Sequence, residues 1–196
     1  MTDDPPKRLD PLLRAVLEAF EEHGFHGASV RDIAGRAGVT VPALYYHYAS
    51  KQGMLAAILV SSVRELLRVC EAALEVAPKD PRSRLAALAR QLVLSATHSR
   101  HVALLDRESR NLSEADADSY RKARGDVQDL VTAAVTEGAA GGVFRTDDPR
   151  DTARAILSLC LNVANWYQPT GPMTATEIAD RYVIYSLRLA GDPDAD

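Results

Sequence analysis

The chain has 196 residues, 46% of them hydrophobic, with two cysteines and a formal charge of −4. That length can bury one ordinary core, or a small one beside a larger one. The acid excess excludes a protein that coats nucleic acid by bulk attraction, and Cys70 and Cys160, far apart and without a C-x-x-C partner, exclude a cysteine framework. They read as buried thiols in a reducing compartment. The N-terminal MTDDPPKRLD carries neither an apolar core nor a cleavage pattern, and no run is long enough to span a bilayer, so the chain reads as cytoplasmic.

Leu13, Val16, Leu17 and Phe20 fall at helical spacing and give the first helix one apolar stripe. Gly24 ends it. His23 and His26 flank that end, where a cation suits the helix dipole, but no carboxylate or cysteine geometry there suggests a metal. Ser29 and Asp32 have the S-x-x-D spacing of a helix start, and Val30, Ile33, Ala34 and Ala37 line one face. Gly38 can take positive φ, so the chain turns. Thr40 then caps a second short helix from Val41 to about His47, with Pro42 in the first turn, where its missing N–H costs little. Two short helices joined by a glycine turn are the pattern that places its second helix in the DNA major groove.

Within that second helix, Leu44 and Tyr48 are four apart and anchor it. Thr40, Val41, Ala43, Tyr46 and His47 then face outward, with Tyr45 on a flank. Hydroxyls, the imidazole and the Lys51 ammonium suit phosphate oxygens, while Val41 and Ala43 suit a thymine methyl. Arg31 suits a bidentate guanine contact, although Asp32 or a phosphate would serve it equally. A run of tyrosines alone would read as packing. Here the caps, glycine turn and terminal lysine are in register, and DNA binding is the better reading.

Phe20, Gly24, Phe25, Ala28 to Ile33, Ala37-Gly38-Val39, Leu44 to Tyr48 and Ser50-Lys51 resemble the N-terminal domain of the TetR family of transcriptional repressors. The resemblance implies an all-α dimer that releases its operator when a small molecule enters a larger C-terminal domain. Matched residue by residue, it places DNA contacts on Arg31, Thr40, Val41, Pro42, Tyr45, Tyr46, His47 and Lys51. Asp10-Pro11 departs from the family pattern inside the usual first turn, so helix one is expected to begin later. Residues 1–52 form the helix-turn-helix domain on this reading, and 53–196 the helical effector-binding and dimerisation domain. Residues 1–55 are not basic, so phosphate contact has to rely on hydroxyls, backbone N–H groups and helix N-termini, and the salt dependence should be shallow.

Ser50 caps a long helix to about Val76, with Met54, Leu55, Ile58, Leu59, Ser62, Leu66 and Val69 inward. It starts in one domain and ends in the next, so its tilt would set the distance between two recognition helices. Half-sites one turn apart, roughly 34–36 Å, tolerate little change. Helices follow from about Pro81 to Ser99, from His101 to about Leu112, from the Ser113/Asp116 box to the glycines near 141, from Asp148-Pro149 through Trp166, and from the Thr174/Glu177 box to about Leu189. No convincing strand appears, so the fold is all α. The stretch 153–166 is apolar almost all round, which implies a partner surface. A twin helix across a two-fold axis, with Ile178, Tyr182, Tyr185 and Leu189, gives a homodimer through the last two helices that suits a two-fold operator in double-stranded DNA.

For an effector, polar groups among the apolar ones of the middle helices are His98, His101, Arg107, Asn111, Tyr120, Arg124, Asn162 and Trp166. The segments DRESRNL, VFRTDD and NWYQPTGPMT resemble the C-terminal domains of TetR-type repressors that respond to acyl-CoA thioesters. In the steroid-ring members an arginine and a tryptophan face the thioester; Leu157 and Leu161 occupy those positions here, and Asn165 replaces a further arginine. A largely apolar effector follows, with acyl-CoA among the candidates, and no cofactor is called for. Two other classes stay open. His98 and His101 give a weak H-x-x-H pattern for a helical metal-dependent enzyme, without the paired motifs of a di-iron bundle or any nucleophile or P-loop signature. A helical adaptor that has lost DNA binding is the other.

Overall fold

The computed structural model describes residues 10–98 and 105–195. Every regular element among them is helical. In chain order these are α1 (Pro11–Gly27), α2 (Val30–Ala37), α3 (Val41–His47), α4 (Lys51–Val76), α5 (Pro81–His98), a 3-10 turn (Asp106–Asn111), α6 (Glu114–Ala140), α7 (Pro149–Leu161), a second 3-10 turn (Asn162–Asn165) and α8 (Ala175–Leu189).

The sequence explains most boundaries locally. Asp10 is the N-cap of α1, its carboxylate accepting the Leu12 and Leu13 N–H groups at 2.8 and 2.9 Å, with Pro11 in the first turn. Asp10-Pro11 therefore opens the helix and does not delay it. Gly24, at φ 68°, breaks α1, and the Phe25 to Gly27 turn continues to the Ser29 cap. Thr174 and Glu177 cap α8 reciprocally. Two stretches differ from the expected helices: α7 stops at Leu161 and tightens into a 3-10 turn to Asn165, with the Asn165 amide donating to Asn162 Oδ1 at 2.9 Å, and the described end of the helix expected from His101 to about Leu112 is the 3-10 turn Asp106–Asn111.

The chain forms two compact units. Unit 1 comprises the described residues of Met1–Val63 and His101–Ala123. Its core gathers Leu13, Val16, Leu17 and Phe20 of α1, Ile33 and Ala34 of α2, Leu44 of α3, and Met54, Leu55, Ile58 and Leu59 of α4. Leu105 and Tyr120 are buried in the same cluster, with Leu112 packed against it.

Unit 2 comprises the described residues of Arg64–Arg100 and Arg124–Asp196. Here α5 buries Leu85, Leu88, Ala89, Leu92 and Ala96 and packs on α7 and α8. Along the later part of α4 the buried residues are Cys70 and Leu74, whereas Leu66 and Val69 are half-buried. The glycines after α6 do stop the helix. Gly142 takes φ 71°, and Phe144 folds back onto Gly138, where a Cβ would lie 2.1 Å from its ring. Cys70 and Cys160 are buried free thiols, pushed up to about 12 and about 11 chiefly by desolvation, and are therefore protonated at neutral pH.

The C-terminal end of unit 2 is held by a buried carboxylate. The side chain of Asp192 is 1% exposed and takes both Nε and Nη2 of Arg82, which holds its pKa below the ordinary 3.8. A depressed carboxylate stabilises in full above its ordinary value and loses that contribution as pH falls through the lowered one. Asp192→Asn should lower the melting temperature at pH 7 by roughly 5 °C. The gap from wild type should begin to narrow below pH 3.8 and close only once the pH falls through the lowered value; a gap independent of pH would show that the carboxylate charge is not what matters.

Candidate nucleic-acid interface

The interface is built from the caps upward. Ser29 Oγ accepts the Asp32 N–H at 3.0 Å, which sets the start of α2 and the phase of Arg31 just after it. At the other end Gly38 takes φ 67° and ψ 26°, its N–H reaching Gly35 O at 3.2 Å while that of Val39 reaches Ala34 O at 3.0 Å. This paired closure reverses the chain, and Thr40 Oγ1 then accepts the Ala43 N–H at 3.3 Å to open α3. Leu44, fully buried, pins α3 to the core. What remains outward is fixed by that anchor.

Tyr46 is 88% exposed and Tyr45 46%, and the Tyr46 ring meets His47 edge-on with centroids 5.4 Å apart. Large rings left this bare are uncommon on a surface that has no partner. Thr40, Pro42 and His47 are exposed as well, whereas Val41 and Ala43 are half-buried, Val41 packing on the core. Arg31 is exposed and makes no hydrogen bond or ion pair among the described residues. Its neighbour Asp32 instead takes Arg36 Nε at 2.9 Å, and Arg36 also reaches Glu22 at 2.6 Å, with His23 Nε2 3.7 Å from Glu22 and 3.9 Å from Asp32. That network ties α2 to α1 and absorbs the acids beside Arg31. Of the pairings open to Arg31 from sequence, the one with Asp32 is not made, that carboxylate being taken by Arg36.

Lys51 sits differently from the other expected contacts. Its ammonium donates to Ala28 O at 2.9 Å and His26 O at 3.3 Å and lies 4.7 Å above the Phe25 ring centroid. It clasps the α1–α2 turn to the start of α4. A cleft of about 530 Å³ opens beside it, lined by Phe25, His26, Lys51, Gln52, Arg110, Asn111 and Leu112.

The effector residues expected from sequence do not form one cluster within either unit. In unit 1, Tyr120 is buried in the core and its hydroxyl donates to Asp106, Asn111 Nδ2 donates to Glu108 at 2.7 Å, and Arg107 is exposed. In unit 2, His98 closes on Leu94 O through Nδ1 at 2.6 Å, Arg124 and Asn162 are exposed, and Trp166 is 42% exposed with its ring 6.3 Å from that of Tyr182. His101 lies outside the described residues. On α8, Tyr185 and Leu189 are exposed, and Tyr182 is half-buried beside Tyr185 with ring centroids 5.6 Å apart. Ile178, expected on that outward stripe, is 1% exposed and packs inward: it shares the face of Tyr182, but that end of the stripe is covered by the chain's own core.

A family model described as bacterial regulatory proteins of the tetR family matches residues 12–58. A second, described as the tetracyclin repressor-like C-terminal domain, matches residues 78–190, more than half of the chain. The chain belongs to the TetR family. As a TetR-family protein it is a ligand-responsive DNA-binding transcriptional regulator, and regulators of this family bind operator DNA and dimerise. It is 29% identical to the HTH-type transcriptional repressor KstR2 of Mycolicibacterium smegmatis over 93% of this chain and 90% of that one. A tetR-family regulatory protein of Rhodococcus RHA1 has a TM-score of 0.86 at 27% identity, covering 94% of this chain and 97% of the other. AibR, in a structure with isovaleryl coenzyme A and operator DNA, has a TM-score of 0.76 at 25% identity over 88% and 96%. The TetR-family helix-turn-helix is therefore the structure around Arg31 and α3. Among the described residues no group of three or more His, Cys, Asp and Glu is placed to hold a metal, and no helix is long and apolar enough to cross a membrane. The enzyme and adaptor readings are not favoured.

Proposed function

We propose that this chain is a cytoplasmic repressor whose homodimer, joined through α7 and α8, reads a two-fold operator with Arg31 and α3 and leaves it when an acyl-CoA enters the 53–196 domain. The observation that carries the DNA-reading half is the bare surface of α3, with Tyr45, Tyr46 and His47 exposed and Arg31 without a partner among the described residues. Arg31 supplies the bidentate base contact; the tyrosine hydroxyls, Thr40 and His47 supply phosphate contacts that fix register. The acyl-CoA half draws support from AibR, which has been seen with isovaleryl coenzyme A and operator DNA. Leu157 and Leu161, both half-buried, favour an effector that is largely apolar where it meets them.

Footprinting on the DNA adjoining its own gene tests the reading. Arg31→Ala and Tyr46→Ala should each weaken operator binding about 10- to 100-fold, with Arg31→Ala also relaxing preference at its base pair. The wild-type slope of log affinity against log salt should be well short of −10, because residues 1–55 carry no excess of basic side chains. Failure of the wild type to protect any such fragment at moderate salt would remove the DNA-reading half. For the effector, thermal-shift titration across acyl-CoA chain lengths should give saturable stabilisation. No stabilisation by any chain length would remove the acyl-CoA half and leave the DNA-reading half standing.

A further inference from the structure

The cleft beside Lys51 has no part in the base-reading surface, yet its chemistry is one-sided. In a chain with a formal charge of −4, its lining carries Lys51, Arg110 and His26 and no carboxylate. Its volume of about 530 Å³ is that of a small-molecule site. Arg110 is exposed and makes no hydrogen bond or ion pair among the described residues, so its forked donors are available. Lys51 uses two of its three N–H groups on the Ala28 and His26 carbonyls, which leaves one. His26 adds an exposed imidazole. Three donor side chains from three different segments match the three terminal oxygens of a phosphoryl group better than the two of a carboxylate.

We propose that this cleft is a phosphoryl-binding site, with Arg110 as its principal ligand and Lys51 and His26 completing it. Occupancy has a built-in consequence within unit 1. A phosphoryl group competes with the two backbone carbonyls for the Lys51 ammonium, and a pair in which both partners are ionised is the stronger. Loosening that clasp frees the turn that leads into α2 and α3, so the site and the DNA-reading helices share one side chain. The phosphoryl group can come from a phosphorylated small molecule or from the backbone of bound DNA.

The two sources separate in one set of measurements on the full chain, with Arg110→Gln and His26→Gln as variants. Both side chains are exposed, so both variants should melt with the wild type. Calorimetric titration with pyrophosphate, and separately with coenzyme A carrying no acyl group, is run in phosphate-free buffer at constant ionic strength. Saturable binding that Arg110→Gln weakens at least about tenfold assigns a small-molecule source. In parallel, duplex affinity is measured against KCl, using the operator or, failing one, a random duplex, since phosphate contacts carry no sequence information. A slope reduced in Arg110→Gln by about 0.9 per protomer assigns the DNA backbone as the source. An unchanged salt slope, together with anion binding that is absent or unchanged by both substitutions, overturns the proposal.

Discussion

Gly191→Ala is expected to lower the melting temperature by about 10 °C, measured by circular dichroism or calorimetry. The residue sits at φ 76°, and a Cβ there would lie 2.2 Å from the Arg145 carbonyl oxygen and 2.8 Å from its carbonyl carbon. The obstacle is backbone, which cannot swing away as a side-chain tip can. Relief requires moving Arg145, whose N–H reaches Ala190 O at 3.1 Å and Gly191 O at 3.2 Å. Left-handed backbone costs alanine about 1–2 kcal/mol, a forced overlap about 1–3, and a lost hydrogen bond about 1, so roughly 3–6 in all. Gly142→Ala is the control. It has nearly the same φ, 71°, but nothing within 4 Å of its Cβ, so only the backbone cost of about 1–2 kcal/mol applies there. Equal losses at the two positions would mean that the contact with Arg145 is unimportant.

The double substitution Tyr185→Glu, Leu189→Glu is expected to convert the protein to a single copy and to weaken operator binding by at least about 100-fold. The two residues are 43% and 46% exposed on α8, and the chain itself leaves them uncovered, with Tyr182 and Trp166 in a tilted aromatic series beside them. Across a two-fold axis each substitution appears twice, so four carboxylates would be buried without partners, at several kcal/mol per ion. One copy can then grip only one half-site. Because both positions are exposed in the isolated chain, helicity by circular dichroism should be unchanged. Sedimentation equilibrium reads the copy number directly, and an intact dimer would show that α8 does not form the interface.

What could be read from the sequence follows the range of the forces involved. Caps and glycine turns act over a few residues, so Ser29, Gly38, Thr40, Ser50, Asp148 and Thr174 announce their helices correctly. The buried stripes of α1 and α5 follow from spacing alone. The clasp of Lys51 was not legible, because its carbonyl partners lie 25 and 23 residues back and backbone acceptors leave no mark in composition. The Asp32–Arg36 pairing carried a signal, the four-residue step on one helix, but its extension to Glu22 depended on how α1 meets α2. Ile178 shows the limit of a stripe read from one helix: it shares the phase of Tyr182, Tyr185 and Leu189, but only packing decides which end of the stripe is covered. The polar residues singled out for an effector fall in pairs three or four apart, a spacing that marks a helix face and not a site, and which of them becomes a core hydroxyl, a helix-end imidazole or an exposed group is a tertiary outcome.

The presence of Leu105 and Tyr120 in the same apolar cluster as Leu13, Phe20 and Leu44 bears on engineering. A portable DNA reader cut after Val63 and fused to another sensor would expose the cavity those two side chains fill. A working chimaera from this protein has to carry 105–123 along with the N-terminal helices, so the transplantable reader is encoded in two stretches of the gene instead of one.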